Sequence, residues 1–206
     1  MTKSTIIFDF DGTIADSFGA FVRVYNKIGK EYNLTQVNPK EAARLRGMTP
    51  KEVIRALKIS LFTIPFYLWR GRSLFKKEVH TVQPIEGIIP ILHQLAETHQ
   101  LGILTSNEKS SVESFLLKHG LSMFDFIHSE RNLFGKHKAL LSLMKQYSLD
   151  ASRTIYVGDE VRDIESCKKA HVSVAAVSWG LNTHDLLASY KPDYLFARPD
   201  ELLSLP

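Results

Sequence analysis

Short apolar, β-branched runs recur along this chain with helical patterns between them, and that alternation restricts the fold more than any other feature. The runs fall at residues 5–8, 101–104, 124–127, 154–157 and 172–177, with a possible sixth at 194–196. Each is four to six residues long and lacks the polar alternation of a half-exposed strand, so each reads as a strand buried on both faces. The intervening stretches carry helical spacing. Residues 88–97 are apolar-rich. Val112, Phe115, Leu116 and His119 share one face ahead of Gly120, a candidate C-terminal cap, and Leu140, Leu143, Met144 and Tyr147 mark another helix. Strands that alternate with helices predict an α/β fold, a Rossmann-like parallel sheet with helices on both faces.

Residues 17–80 break this rhythm. Phe18, Phe21, Val22, Tyr25 and Ile28 have helical spacing, and no convincing strand follows. Asn38-Pro39-Lys40-Glu41 and Thr49-Pro50-Lys51-Glu52 each place a capping residue, a proline at the first helical position and a glutamate three residues after the cap. The expected organisation is therefore a catalytic core of residues 1–16 plus 81–206, interrupted by a small all-helical domain or lid over 17–80.

Acidic residues stand directly after two of the predicted strands. Asp9-Phe10-Asp11-Gly12-Thr13 follows the first, and residues two apart along a strand share a side, so Asp9 and Asp11 are expected at one site on the sheet's carboxyl edge. Gly12 permits a sharp turn there. Gly158-Asp159-Glu160-Val161-Arg162-Asp163 follows the fourth, and Asp159 and Asp163 share a helix face if a helix starts at that point. Taken singly, the first cluster also fits an acidic turn and the second a helix start with acids that complement its dipole. Neither explanation accounts for both clusters lying at the same kind of strand end. Thr105-Ser106-Asn107 ends the second strand, where hydroxyl and backbone N–H groups can hold a phosphate oxygen, although such residues cap many helices. Lys136 opens a later helix against its dipole, which a nearby anion would justify; a surface lysine is the alternative.

This order of carboxylate pair, hydroxyl, lysine and second carboxylate pair resembles the haloacid dehalogenase superfamily over nearly the whole chain, and within it the phosphatases that look like phosphoglycolate phosphatase. Asp9 to Thr13 match the nucleophile motif, Thr105 the hydroxyl motif, Lys136 the lysine and Gly158 to Asp163 the acidic motif. Two departures stand out. The lysine lacks the usual Lys-Pro context, which keeps Lys138 open as a substitute, and Ser106 follows Thr105 where relatives often carry Asn, with Asn107 one place later.

The resemblance implies a Mg2+-dependent phosphatase that hydrolyses a small-molecule phosphate monoester through an aspartyl-phosphate. Asp9 would be the nucleophile, and Asp11 the acid that protonates the leaving alkoxide and later deprotonates water. Asp9, the Asp11 backbone carbonyl and Asp159 would bind magnesium, with Asp163 close behind or linked through water. Thr105 and Lys136 would hold phosphoryl oxygens, with Gly12, Thr13, Ser106 and Asn107 lining the phosphate site. The insertion at 17–80 would be a cap, on which Arg44 and Arg46 are candidates for a substrate anion.

Composition narrows the partners. The net charge of +4, from 26 basic and 22 acidic residues interspersed, lacks the clustered stripe of a nucleic-acid binder. The single cysteine, Cys167, excludes an internal disulfide. The N-terminus lacks a signal-peptide pattern, and no apolar run approaches 18 residues, so a cytoplasmic protein acting on a small phosphorylated metabolite is expected. The longest apolar stretch, 59–69, reads as core of the helical insertion. The alternative is an exposed apolar face, flanked by Arg70, Arg72, Lys76 and Lys77, that contacts a membrane, a partner or an apolar substrate. A phosphomutase would use the same motifs. A dehalogenase lacks the second aspartate, and a phospho-accepting signalling domain is about half as long. A non-catalytic phosphate- or partner-binding protein is the remaining alternative. Nothing in the sequence fixes the oligomeric state.

Overall fold

The computed structural model describes residues 3–130 and 135–206, apart from the side chains of Lys77 and Val79. Met1 and Thr2 of the N-terminal reading, Phe134 before the candidate lysine and the Lys77 side chain of the basic flank lie outside the described residues. Six strands form one sheet: β1 (Thr5–Phe8), β2 (Gln100–Thr105), β3 (Phe126–Ser129), β4 (Thr154–Gly158), β5 (Ser173–Val177) and β6 (Tyr194–Phe196). Their order is β3-β2-β1-β4-β5-β6 and every pairing is parallel. The predicted Rossmann-like parallel sheet is the fold, with small shifts in strand ends. The third strand begins at Phe126 rather than at 124. Phe124 instead packs edge-on against Phe8, with ring centroids 6.3 Å apart.

Between β1 and β2 the chain makes α1 (Phe18–Tyr32), α2 (Pro39–Arg46), α3 (Pro50–Ala56) and α4 (Ile64–Glu78). These belong to a compact unit, Ser17–Gln83, while Met1–Asp16 and Pro84–Pro206 form the other. In the helical unit Val37, Ala42 and Leu57 are buried, with Phe18, Val22, Tyr25 and Leu45 packed against them. Both predicted caps form, by different means. Thr49 and Glu52 make the full reciprocal box, whereas Asn38 accepts from the Glu41 N–H at 2.9 Å and the Glu41 carboxylate turns to Arg44. The reading of 59–69 as core needs correction. Helix α4 meets α1 through Gly71 and Phe75, and Ile59 packs on the core of the unit, but Leu61, Phe62, Phe66 and Trp69 are exposed.

In the sheet unit, α5 (Ile88–Thr98) precedes β2, α6 (Lys109–Lys118) links β2 to β3, and α7 (Lys136–Gln146) links β3 to β4. Helix α8 (Val161–Ala170) links β4 to β5, and α9 (His184–Ser189) links β5 to β6. On one face of the sheet Ile7, Leu104, Tyr156 and Val174 pack with Leu140, Leu143, Ile164 and Cys167 from α7 and α8. Ile6 and Phe8 alternate to the other face and are equally buried. Central strands buried on both sides explain why these segments are continuous apolar runs. The chain runs outward from β1 through β2 to β3, then returns to add β4, β5 and β6 on the other side. Such a reversal opens a crevice at the carboxyl ends of β1 and β4, where ligands of open α/β sheets bind. No helix among the described residues is long and apolar enough to cross a membrane.

Candidate active site

The loop after β1 folds back on itself. Gly12 N–H donates to the Ala15 carbonyl at 2.8 Å, and the Ile14 and Ala15 N–H groups both donate to the Phe10 carbonyl, at 3.0 and 2.9 Å. Gly12 makes the turn with φ of +73°, a region that glycine enters without strain. Phe10 points into the core, edge-on to Phe115 with centroids 5.0 Å apart. Its two neighbours, Asp9 and Asp11, are thereby directed to the opposite side.

Asp9 Oδ1 accepts from the Phe10 N–H at 2.7 Å, and Oδ2 lies 2.6 Å from Lys136 Nζ. Lys136 also pairs with Asp163 Oδ1 and sits over the Tyr156 ring, 5.1 Å from its centroid. Two carboxylates explain why a lysine is tolerated in the first turn of α7. Lys138, the alternative, is exposed. The Lys136 ammonium is mostly buried. Burial alone would pull its pKa down, but Asp163 and Asp9 outweigh that and raise it well above the usual lysine range, so it stays charged.

Asp159 lies in the turn between β4 and α8, which corrects the expectation that it shares a helix face with Asp163. Helix α8 starts at Val161, after an extended Glu160, because the Asp163 carboxylate accepts from the Glu160 N–H at 3.0 Å and fixes the helix entry there. The carboxylates converge all the same. Asp9, Asp159 and Asp163 are buried and each offers an oxygen within 4.8 Å of the others, the one such cluster of three metal-capable side chains among the described residues. Asp159 is held from both ends. Thr13 Oγ1 donates to Oδ1 at 2.9 Å, and the Leu181 N–H donates to Oδ2 at 2.6 Å. Burial, then Asp9, Glu160 and Asp163, push its carboxyl well above the usual range. Burial likewise pushes Asp163 up to about 6, with Lys136 pulling against it and Asp9 acting with it. Several acids crowded around one lysine form an all-oxygen set that is electrostatically incomplete without a cation. Hard oxygen donors of this kind suit magnesium.

The hydroxyl motif stands beside this cluster at the end of β2. Thr105 is buried, and its hydroxyl accepts from the Asn107 N–H at 3.1 Å. Asn107 Nδ2 donates to Asp11 Oδ2 at 2.7 Å, tying the second motif to the first. Ser106 is exposed. Gly12 and Thr13, expected near phosphate, both back Asp159: Thr13 through its hydroxyl, and Gly12 because a side chain there would run into the Asp159 carboxylate. Arg44 and Arg46 lie in the helical unit. Arg44 forks onto Glu41, and the Arg46 guanidinium stands 5.5 Å over the Phe18 ring.

Some of the site was not read from the sequence. Residues 178–182 form a further strand-end loop, after β5. It supplies the Leu181 N–H to Asp159, the Asn182 Oδ1 that accepts from the Val161 N–H at 3.0 Å, and the Trp179 Nε1 that donates to the Thr13 carbonyl at 3.2 Å. Its signal was position alone, a Ser-Trp-Gly-Leu-Asn run at a strand's carboxyl end. Glu160 and Arg162 form a second pair beside the cluster, and Arg162 holds the Glu160 carboxylate below its ordinary range despite burial.

The chain is 30% identical over 200 residues to the phosphoglycolate phosphatase of Synechococcus elongatus, covering 96% of this chain and 94% of that one. It is 24% identical over 214 residues to the pyrophosphatase PpaX of Oceanobacillus iheyensis, covering 100% and 97%. A haloacid dehalogenase-like hydrolase from Streptococcus pneumoniae superposes with a TM-score of 0.83 at 22% identity, covering 98% and 97%, and so has the same fold. The family model described as haloacid dehalogenase-like hydrolase matches residues 6–177, a span that includes β1 to β5 and every carboxylate of the cluster, and the chain belongs to that family.

Proposed function

We propose that the chain is a Mg2+-dependent phosphatase that hydrolyses a small-molecule phosphate monoester through an aspartyl-phosphate on Asp9. The observation that carries this reading is the environment of Asp9: a buried carboxylate at the sheet's carboxyl edge, paired with Lys136 and grouped with Asp159 and Asp163. The phosphatase named among its relatives, at 30% identity over almost the full chain, supports the same reaction class.

Asp9, Asp159 and Asp163, with the Asp11 backbone carbonyl, would hold the magnesium. When bound, it would lower the repulsion between the phosphoryl group and these acids and stabilise the charge of the transferring group. Asp9 donates an oxygen lone pair to phosphorus as the ester P–O bond breaks. Asp11 gives its proton to the departing alkoxide, then takes one from the water that attacks the acyl-phosphate, releasing inorganic phosphate and restoring the Asp9 carboxylate. Lys136 and Thr105 donate to phosphoryl oxygens, and Lys136, 2.6 Å from Asp9, offsets negative charge beside the attacking carboxylate. Asn107 holds Asp11 in place. Thr13, Leu181 and Gly180 keep Asp159 where it is. Arg44 and Arg46, in the helical unit, are offered to a substrate anion on the basis of their place in the sequence alone.

The test is phosphate release from a panel of small esters, including 2-phosphoglycolate, with pyrophosphate alongside, with and without magnesium. Asp9→Asn should abolish turnover and leave the fold unchanged. Full activity in pure Asp9→Asn protein would remove the nucleophile assignment. Conversion of a sugar phosphate to its isomer without phosphate release would turn the reading into a phosphomutase.

A further inference from the structure

Outside the sheet unit, the most unusual surface of the molecule is the outer side of the α3–α4 region. The 3-10 turn Leu61–Thr63 carries Leu61 and Phe62 at 70% and 96% exposure, a value for Phe62 that leaves almost none of its ring covered. One helical turn on, Phe66 and then Trp69 (66% exposed) continue the same side of α4. Tyr32, at the end of α1, meets Phe66 edge-on with centroids 5.2 Å apart, and Trp69 lies 6.1 Å from Phe66. Tyr32, Phe66 and Trp69 are thus contiguous, with Leu61 and Phe62 standing one turn before Phe66. Further along the same exposed side come Arg72, Ser73 and Lys76.

The charge around the ridge is mainly basic, bounded in the sequence by Glu52 and Glu78. Residues 53–77 contain Arg55, Lys58, Arg70, Arg72, Lys76 and Lys77 and no aspartate or glutamate. The acid that approaches from α1, Glu31, is neutralised by Arg70, whose guanidinium forks onto it at 2.9 and 3.1 Å. Exposed apolar side chains cost free energy in water, and a monomer seldom leaves a contiguous cluster of them uncovered without use.

We propose that this ridge docks the protein on an anionic lipid surface, with Leu61, Phe62, Phe66 and Trp69 seated among the headgroups and the flanking Arg and Lys side chains against lipid phosphates. Charge complementarity selects this occupant. A two-fold contact with a second copy would bring together two segments that each carry six basic residues between Glu52 and Glu78. An acidic peptide needs a groove, and Phe62 at 96% exposure stands on a convex tip. A bilayer interface accepts a convex aromatic tip and favours flanking basic residues. The arrangement also separates chemistry from docking, because every ridge residue lies in the helical unit and none belongs to the carboxylate cluster.

The experiment is co-sedimentation of the full chain with phosphatidylcholine vesicles, with or without phosphatidylserine, over a salt series. The bound fraction is expected to rise on the phosphatidylserine vesicles at low salt and to fall as salt rises. Phe62→Ser/Trp69→Ser should weaken binding by roughly tenfold or more, while melting temperature and turnover of a soluble ester stay unchanged. Brominated lipid should quench Trp69 fluorescence in the parent, and this component should vanish in Trp69→Phe, leaving Trp179 as the internal control. Equal binding to both vesicle types, no binding to the anionic ones, or undiminished binding by the Ser variant would each overturn the proposal. So would a ridge-dependent dimer by light scattering in place of vesicle binding.

Discussion

Asn107 Nδ2 donates to Asp11 Oδ2 across 2.7 Å, joining the loop after β2 to the loop after β1. One Asp11 oxygen therefore accepts from a neutral donor. If Asp11 is the acid of the proposed mechanism, Asn107 would act on the reaction by orienting it. Asn107→Ala should lower kcat about tenfold to a hundredfold, as misplacement of an acid does, with KM changed by less than about threefold. Steady-state kinetics on the best ester of the panel check this. A raised KM at unchanged kcat would instead place Asn107 on the substrate, as the sequence alone suggested.

Lys136 stands between two carboxylates, with Nζ 2.6 Å from Asp9 and in contact with Asp163. Removing it leaves both acids buried without this counter-charge and, on the proposed mechanism, takes a donor from the phosphoryl group. Lys136→Met is expected to reduce kcat by about a hundredfold to a thousandfold, the range for losing an electrostatic donor to the transition state. Lys138, two residues on in the same turn, is exposed, and Lys138→Ala should stay within about twofold of the parent. Equal losses in the two variants would undo the assignment.

How far the sequence carried this site depended on the distance over which each signal acts. The strands were legible because β1 and β4 are buried on both faces, so their whole sequences are apolar. Asp9, Asp11 and Asp159 were legible because a strand end announces itself locally. The Thr49–Glu52 cap was legible for the same reason. The partners that fix Asp159 were not, since Thr13 and Leu181 come from loops 146 and 22 residues away and look like ordinary turn residues. The start of α8 was misplaced because Asp163 caps backward onto Glu160, a choice between two acidic positions that spacing does not decide. The stretch 59–69 was read as core because its composition is apolar, and composition does not say which side of α4 finds a neighbour.

Gly180 is the glycine whose absence of a side chain the site uses most directly. Its φ is ordinary, so the requirement is space alone: a methyl group there would overlap the Asp159 carboxylate and the Gly12 carbonyl oxygen together. The rigid loop after β1 blocks retreat on one side, so Asp159 must move. Gly180→Ala should cost about 1–3 kcal/mol of stability and raise the magnesium concentration for half-maximal activity about tenfold or more. Chemical denaturation and a magnesium titration read the two effects. A variant with parental magnesium dependence would show that Asp159 yields without consequence.

If magnesium binds as proposed, it competes with protons for the same carboxylates, and the raised pKa values give the sign. Asp163 titrates near 6 in the fold, pushed there first by burial, against about 3.9 in an unfolded chain. Between those values the native state holds the extra proton, so stability without metal is greatest below about pH 4 for this group and is lost as pH rises through about 6. The shift corresponds to roughly 3 kcal/mol, and burial raises Asp159 in the same direction. A divalent cation replaces those protons. Magnesium should therefore raise the melting temperature clearly at about pH 7.5 and little at about pH 5, and Asp159→Asn should remove most of the gain at the higher pH. Differential scanning fluorimetry across the two pH values measures it. An equal magnesium shift at both, or the same shift in Asp159→Asn, would mean that the ion binds elsewhere.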